Sequence, residues 1–322
     1  MPHASADAAS APVEPVARDW DYWDIDTIAT GLKHARQRWR SGQHRHAEYG
    51  AVGFPARGEI EKIMAALCGA LFPLRLGPHF VRIENEDAFV AETLDTALRK
   101  LYGQVRLELA YAGQEDSAAA RIVGAFAAAL PELRGLLDGD VDAAYAGDPA
   151  ARSVDEILLC YPGMLAIIHH RLAHRLHILG APLVARIISE IANSRTSIDI
   201  HPGATIGRSF FIYHGTGVVI GETAIVGNRV RIYQAVTLGA RSFPSAEDGS
   251  LEKGGMRHPI IEDDVVIYAG ATLLGRITVG RGSVIGGNVW LTGSVPPGSS
   301  IHQARNERTR LSAAEPGLDR PQ

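Results

Sequence analysis

The sequence predicts an α+β protein in which an all-α N-terminal domain precedes a parallel β-helix built from hexapeptide repeats. Three features predict it: apolar residues at helical spacing before residue 194, an aliphatic residue at every sixth position from residue 200 onward, and glycine after many of those aliphatic residues. A period of six matches neither an α-helix nor a half-buried strand. It matches stacked short strands that each send one aliphatic side chain into a common interior, with glycine at the turns.

The six-residue period is sustained over many units, and a second set of mostly small or β-branched residues lies four positions after each aliphatic residue. Both sets are predicted to line the interior. The aliphatic set is Ile200, Ile206, Ile212, Ile220, Val226, Ile232, Leu238, Ile261, Ile267, Leu273, Val279, Ile285 and Leu291. The second set is Ala204, Phe210, Thr216, Ala224, Val230, Val236, Val265, Ala271, Ile277, Ser283, Val289 and Val295.

The period is broken at two places. Between Ile212 and Ile220 the step is eight residues, and between Leu238 and Ile261 a polar, glycine-rich segment at residues 240–260 interrupts the repeats. Insertions in a solenoid lie on its outside and commonly form the binding face. Each insertion carries a histidine, His214 in the first and His258 in the second.

The region before the repeats has helical spacing from Trp20 to about Asn193. The predicted domains are a disordered tail at 1–18, a helical domain at 19–193, the β-helix at 194–303 with its loop at 240–260, and a C-terminal tail at 304–322. Helix breaks are predicted at Gly77-Pro78, Gly113, Pro131, Gly139, 147–149, Pro162-Gly163 and 180–182.

Composition narrows the function. The chain has 322 residues and a net charge of −4, which argues against a nucleic-acid partner. Its two cysteines, Cys68 and Cys160, lie in apolar sequence without metal or redox spacing, so a reducing cytoplasm is expected. No apolar run is long enough to span a membrane, and no membrane association is expected.

Two sets of residues are candidates for chemistry. Asp199 and His214 are a little over two hexapeptide units apart, so they can approach each other in neighbouring turns of the solenoid. A carboxylate that orients an imidazole would make a base for a hydroxyl nucleophile. The spacing equally allows Asp199 as a backbone-bonded corner residue and His214 as a loop histidine.

The second set, His170, His174 and His177, shares one helix face. No carboxylate or cysteine completes a ligand set there, so no metal is expected.

Several motifs together resemble the serine O-acetyltransferases of bacteria and plants. They are DPAARS from Asp148, YPG from Tyr161, HRLAH from His170, DIHPGATIG from Asp199, HGTGVVIGETA from His214, VTLG from Val236 and RHP at 257–259. The resemblance covers roughly residues 140–295. It implies a left-handed β-helix, trimers with active sites between neighbouring prisms, and pairing of two trimers into a hexamer. It further implies acetyl-CoA as cosubstrate and O-acetylserine, a precursor of cysteine, as product.

The resemblance also implies a role for each matching residue. His214 would be the general base and Asp199 would orient it. Arg257 would hold the substrate carboxylate, and His258 would position the substrate or stabilise the oxyanion. Asp148 would accept hydrogen bonds from the substrate ammonium or hydroxyl. The acetyl-CoA contacts would be Ala240, Ala269 and Gly287.

Three departures from the family pattern qualify these expectations. Tyr213 stands where the family usually has a substrate-binding aspartate, so either Asp148 holds the amine alone or the acceptor differs from L-serine. The loop at 240–256 is longer than the family's short loop, so a different lid is expected there. The final residues, 318–322, lack the terminal isoleucine that family members insert into cysteine synthase, so that complex is not expected by the usual route.

Other functions stay open at this point. The acceptor could be homoserine or an amino sugar, since the hexapeptide scaffold serves many acceptors, although Arg257 favours a carboxylate. A β-helix zinc hydratase would need three histidines from His201, His214, His258 and His302 to meet. A catalytically silent assembly protein is disfavoured by the presence of Asp199, His214, Arg257 and His258 together.

Overall fold

The structure is a computed structural model that describes residues 23–42, 53–242, 249–251 and 254–303. The predicted tails at 1–18 and 304–322, including the final residues 318–322, lie outside these ranges. The chain divides into two compact units, Met1–Gly53 and Phe54–Gln322. In the first unit, helix α1 (Ile25–Gly42) has no buried residue, and Ile25, Ile28 and Leu32 on it are exposed.

The helices of the second unit begin and end largely where proline and glycine predict. Proline occupies the first turn of α3, α7 and α8, where a missing N–H costs nothing, and Gly180 ends α7 with a left-handed φ of 100°. The Ser153 side chain accepts a hydrogen bond from Glu156 N and caps α6. These helices are α2 (Arg57–Leu71), α3 (Pro73–Leu76), α4 (Glu86–Tyr111), α5 (Asp116–Gly147), α6 (Val154–Cys160), α7 (Pro162–Leu179) and α8 (Pro182–Thr196).

The predicted breaks at Pro131 and Gly139 are wrong, because both residues lie inside the 32-residue helix α5. Proline in a helix interior costs about 3 kcal/mol. Around it, the side chains of Phe126, Leu133 and Leu137 are buried. Each such side chain contributes roughly 1.5–3 kcal/mol when fully buried, so tertiary packing outweighs the local penalty.

The remainder of the unit is a solenoid of short parallel strands in three sheets. Sheet A contains β1 (Asp199–Ile200), β4 (Val219–Ile220), β7 (Thr237–Gly239), β10 (Thr272–Leu274) and β13 (Trp290–Leu291). Sheet B contains β2 (Thr205–Ile206), β5 (Ile225–Val226), β8 (Ile260–Ile261) and β11 (Thr278–Val279). Sheet C contains β3 (Phe211–Ile212), β6 (Arg231–Ile232), β9 (Val266–Ile267), β12 (Val284–Ile285) and β14 (Ser300–Ile301).

Each turn of the solenoid, called a coil below, visits sheets A, B and C in that order, so the three sheets are the faces of a triangular prism. The chain passes from sheet C to sheet A at one edge of the prism, the C–A edge. It passes from sheet A to sheet B at another, the A–B edge. The predicted parallel β-helix is confirmed.

The interior follows the hexapeptide pattern closely. The predicted aliphatic set is buried except for Leu291 in the last coil, which is partly exposed. In the second set Thr216 is exposed, contrary to the prediction, and the fully buried Val218 takes its place. The cause is the two-residue insertion before β4, which shifts the inward position from 216 to 218.

A buried ion pair ties the helices to the first coil. Arg171 of α7 donates from Nε and Nη2 to the two carboxylate oxygens of Asp140 in α5, at 2.7 and 2.8 Å. Arg171 also donates to the carbonyl oxygens of Ile206 and Gly207, and Asp140 accepts from Phe210 N. A buried pair with all its partners is a rigid joint between α5, α7 and the solenoid.

Two smaller features concern the predicted cellular setting. Apolar surroundings were expected for both cysteines. Cys68 is buried, whereas Cys160, at the end of the short helix α6, is exposed. Neither forms a disulfide. Within the described ranges, no helix combines the length and the apolar character needed to cross a bilayer.

Candidate active site

The residues predicted for the site lie at two edges of the prism. Tyr213, Ala269 and Gly287 follow strands of sheet C and so lie at the C–A edge. Arg257 and His258 directly precede β8 and lie at the A–B edge. His214 and Asp148 also belong to the C–A edge, and Ala240, just after β7, belongs to the A–B edge. Asp199 lies in β1 itself, on sheet A.

Asp148 reaches the C–A edge from the end of α5. Its carboxylate accepts hydrogen bonds from the phenol of Tyr161 at 2.6 Å, the backbone N–H of Ala150 at 2.8 Å and the phenol of Tyr213 at 3.3 Å. Burial raises the pKa of the Asp148 carboxyl, but these hydrogen bonds and the nearby His214 outweigh burial, so the pKa lies below its ordinary value. The carboxylate is therefore ionised at neutral pH.

The two phenols stay protonated. The hydrogen bond from Tyr161 to Asp148 raises the pKa of the Tyr161 phenol. Burial, together with the Asp148 charge, raises the pKa of the Tyr213 phenol. Both phenols therefore act as hydrogen-bond donors to the carboxylate. Tyr161 is not among the residues predicted for the site, although it lies in the quoted YPG motif at the start of α7.

A stack of tyrosines runs along the C–A edge. The ring centroids of Tyr213 and Tyr233 are 5.1 Å apart, and those of Tyr233 and Tyr268 are 4.9 Å apart. The three residues directly follow β3, β6 and β9, which pair in register, so the parallel strands superpose their side chains. Tyr268 is 42% exposed and leaves this end of the stack open to solvent.

His214 lies beside this stack on a left-handed backbone, with φ of 58°, and its ring centroid is 4.3 Å from that of Tyr213. A side chain on the following Gly215 would overlap Ile198, so only glycine fits there. Within the described residues the His214 ring makes no hydrogen bond, and the residue is exposed. An exposed imidazole with free nitrogens is available as a base.

Asp199 and His214 share no hydrogen bond within the described chain. Asp199 pairs with Val219, 20 residues further on, so His214, at an offset of 15, is out of register with it. The charges that act on Asp199 come from Arg186 and Glu190 of α8, and burial raises the pKa of its carboxyl. The orienting role of Asp199 therefore stays a prediction.

The A–B edge holds a closed polar network. Arg257 Nη2 donates to the Glu222 carboxylate at 2.6 Å, so the guanidinium predicted to bind substrate is already paired. The Thr223 hydroxyl oxygen accepts from the backbone N–H groups of Arg257 and His258, at 3.0 and 3.2 Å. Arg276 donates to the carbonyl oxygens of Thr223 and His258. The network fixes the backbone that carries both predicted residues.

His258 is 6% exposed, and its ring lies where the side chain of residue 221 would be if that residue were not glycine. Thr223 N donates to its Nδ1 at 3.1 Å, which assigns the proton of the neutral ring to Nε2. Burial, then the Arg257 charge, lower the pKa of His258. A neutral His258 thus presents an Nε2–H donor, as an oxyanion or substrate contact requires.

Glu222 and Thr223 were not singled out from the sequence, although both lie in the quoted GETA motif. Strand register supplies the missing signal. Thr223 and His258 are 35 residues apart, and so are Glu222 and Arg257. The pairing of β5 with β8 has this same offset.

The three predicted acetyl-CoA contacts do not meet in one chain. Ala269 and Gly287 are neighbours on successive coils, since a Cβ on Gly287 would lie 3.2 Å from the Ala269 carbonyl oxygen. Ala240 lies at the other edge, where the chain leaves β7. Residues 243–248 and 252–253 of the loop that follows lie outside the described ranges.

The histidines on α7 do not form a ligand set. The His170 and His174 rings stack at 5.7 Å, and His177 meets His201 edge to face at 5.9 Å. Across the described part of the chain, no three or more histidine, cysteine or acidic side chains are grouped to hold a metal ion.

A triangular parallel β-helix that carries an available imidazole, a paired guanidinium and small residues at its edges defines the class of hexapeptide-repeat acyltransferases. The family model described as bacterial transferase hexapeptide (six repeats) matches residues 258–293. The chain is 54% identical over 294 residues to a plasmid serine acetyltransferase of Synechococcus elongatus. The alignment covers 88% of this chain and 92% of that protein. The chain belongs to the serine acetyltransferase family.

Solved structures agree with this assignment. Entamoeba histolytica serine acetyltransferase 1 in complex with L-cysteine is 40% identical with a TM-score of 0.67, over 74% of this chain and 86% of that one. The Neisseria gonorrhoeae serine acetyltransferase in complex with serine is 28% identical with a TM-score of 0.51, over 78% and 96%. The predicted family and the left-handed β-helix of hexapeptide repeats are confirmed.

Proposed function

We propose that this protein transfers the acetyl group of acetyl-CoA to the hydroxyl of L-serine and so makes O-acetylserine for cysteine biosynthesis. The observation that carries the proposal is the 54% identity to a serine acetyltransferase over 88% of the chain. One related structure contains cysteine and another contains serine. Both amino acids carry an ammonium from which Asp148 can accept a hydrogen bond and a carboxylate that Arg257 can bind.

His214 acts as the general base. It takes the proton from the serine hydroxyl while that oxygen attacks the thioester carbonyl carbon of acetyl-CoA, and a tetrahedral oxyanion forms. When the intermediate collapses, the C–S bond breaks and the protonated His214 returns the proton to the CoA sulfur. No covalent enzyme intermediate is needed, and holding both substrates together supplies much of the rate enhancement. Asp199 is proposed to orient His214 once substrates are bound.

Arg257 binds the serine carboxylate through N–H groups that its hydrogen bonds to Glu222 and Gly255 leave free. His258, held with its proton on Nε2, donates to the substrate or to the oxyanion. Asp148 accepts from the serine ammonium. The charges are complementary, because a zwitterionic amino acid brings one carboxylate for Arg257 and one ammonium for Asp148.

The active site is proposed to form between two copies of the chain. His214 with Asp148 and Arg257 with His258 lie at different edges of one prism, separated by the width of sheet A. A neighbouring prism in a closed trimer would bring its A–B edge against the C–A edge of the first. The same packing would unite Ala240 with Ala269 and Gly287 along the pantetheine arm of acetyl-CoA. Pairing of two trimers and a cytoplasmic location stay predictions.

The activity is tested by CoA release from acetyl-CoA with L-serine, L-homoserine, D-serine and amino sugars in parallel. Preference for L-serine is the expected result. Preference for another acceptor would replace the proposed substrate, and release with none of them would overturn the proposed activity.

The shared site has its own test, which is co-expression of His214→Ala with Arg257→Ala. Each variant alone is expected to be inactive, but a mixed trimer regains about one intact site in three because one interface escapes both substitutions. Absence of any regained activity in purified mixed trimers would contradict a site between copies.

A further inference from the structure

The Asp148 carboxylate is held by three parts of the chain at once. Asp148 itself directly follows α5. One of its hydrogen-bond donors, Tyr161, lies at the start of α7, and another, Tyr213, directly follows β3 of the solenoid. The two phenols therefore approach one carboxylate from the helical region and from the β-helix. Such a contact fixes both the position and the orientation of the side chain.

Counting acceptor positions shows what this arrangement leaves. An ionised carboxylate offers about two acceptor positions on each oxygen. On Oδ1 both are used, by the Ala150 N–H and the Tyr213 hydroxyl. On Oδ2 the Tyr161 hydroxyl uses one. A single acceptor position on Oδ2 is left for a ligand.

We propose that Tyr161 and Tyr213 are positioning residues that determine acceptor specificity, because their phenols hold Asp148 with one acceptor position left for the ammonium of the amino acid. This inference rests on the proposed function and goes beyond it, since neither phenol touches the reacting atoms. Phenols contribute no charge, so the single negative charge of Asp148 matches the single positive charge of one ammonium group.

The arrangement also selects where the hydroxyl must be. His214 directly follows Tyr213, and its ring contacts the Tyr213 ring. An ammonium held on Asp148 therefore places a hydroxyl on the adjacent carbon close to the base, as in a 2-amino-3-hydroxy acid. In homoserine the hydroxyl lies one carbon further from the ammonium. Loosening Asp148 should accordingly weaken the discrimination between L-serine and L-homoserine.

The test compares three phenylalanine variants. Tyr161→Phe and Tyr213→Phe each remove one hydroxyl that donates to Asp148 but keep the ring. Tyr233→Phe is the matched control, because it removes a hydroxyl from the middle of the same tyrosine stack, and within the described residues that hydroxyl makes no bond to Asp148. Circular dichroism and thermal unfolding verify that each variant is folded.

For Tyr161→Phe and Tyr213→Phe the KM for L-serine is expected to rise about tenfold, as for loss of a hydrogen bond to a charged group. Turnover number and the KM for acetyl-CoA should change less than about threefold. The acid limb of kcat/KM for L-serine should move to higher pH, because a carboxylate with fewer donors protonates more readily. Tyr233→Phe should behave as wild type, and the preference for L-serine over L-homoserine should fall only in the first two variants.

The outcomes separate the two proposals. If the wild type acetylates L-serine but all three variants behave alike, or if Tyr161→Phe and Tyr213→Phe lower turnover without changing KM, the positioning role is wrong and the activity stands. If the wild type prefers another amine acceptor, the proposed substrate is wrong and the same comparison on that acceptor decides the positioning role. Failure of calorimetry to detect binding of any amino acid would overturn both.

Discussion

The C–A edge and the A–B edge of the prism prepare their residues in different ways. At the C–A edge His214 is exposed, lacks a hydrogen bond within the described residues and stands beside a stack of aromatic rings. At the A–B edge Arg257 and His258 are held through Glu222 and Thr223. The difference shows that the group that must change protonation is left free, whereas the groups that only bind are fixed beforehand.

The largest effect should come from removing the free imidazole. His214→Ala should lower turnover by about 10³-fold or more while acetyl-CoA binding, measured by calorimetry, stays nearly intact. His214→Asn is the companion variant, because asparagine tolerates the left-handed backbone at this position. The control is His302→Ala, an exposed histidine after β14 at the same edge. Retention of most activity in both His214 variants would show that the C–A edge does not supply the base.

The fixed edge is tested by displacing His258 without mutating it. In Gly221→Ala the new Cβ would overlap Cδ2 of the His258 ring, so the ring must move. A misplaced binding group is expected to lower kcat/KM by about 10²-fold. Gly293→Ala is the matched control, since a Cβ there meets nothing within 4 Å. Normal kinetics in Gly221→Ala would mean that the position of His258 does not matter to the reaction.

A smaller effect is expected from removing the partner of Arg257. Glu222→Gln removes the charge that competes with the substrate carboxylate, so the KM for L-serine should fall about two- to fivefold, in line with a partly exposed ion pair. Glu262→Gln, which removes a carboxylate after β8 where the chain passes from sheet B to sheet C, should leave KM unchanged. A higher KM in Glu222→Gln would show instead that Glu222 orients Arg257 for binding.

The smallest effect concerns acid stability. Burial, with Arg186 adding to it, lowers the pKa of His201 to about 4, against roughly 6.5 in the unfolded chain. Its contribution to stability is therefore complete above about pH 6.5 and is lost as pH falls towards 4. His201→Asn, which keeps an acceptor for Gly203 N, should reduce the drop in Tm between pH 7 and pH 5 by about 2–4 °C. His302→Asn is the control. If the drop in Tm of His201→Asn equals that of the wild type and of His302→Asn, His201 does not contribute to the loss of stability in acid.

The sequence predicts the structure best where equivalent positions of a repeat all have the same surroundings. The aliphatic residues at every sixth position all face the interior of the solenoid, so their period alone predicts the parallel β-helix. The period fails at Thr216, because an insertion moves the inward position. The separate prediction of a helix break at Pro131 fails because burial of neighbouring side chains offsets a local penalty. Both failures come from tertiary context, which a local pattern does not contain.

The site was predictable in its residue types and less so in its geometry. Motifs point to His214, Arg257 and His258, but the pairing of Arg257 with Glu222 depends on strand register across the loop insertion. Tyr161 reaches Asp148 through the packing of α7 beside α5, 13 residues later in the chain. Asp199 and His214 look compatible by spacing, but spacing does not specify a contact, and no hydrogen bond joins them within the described residues; the orienting role of Asp199 stays a prediction.

The Arg171–Asp140 pair also affects whether the first coil of the solenoid can pair end to end with another chain. The strands β1, β2 and β3 are the first edges of three parallel sheets, and unpaired edge groups invite pairing with other chains. Arg171 occupies the carbonyl oxygens of Ile206 and Gly207, and Asp140 occupies the N–H of Phe210. The ion pair thereby removes three backbone groups of the first coil from end-to-end pairing with another chain, so its loss is expected to favour aggregation.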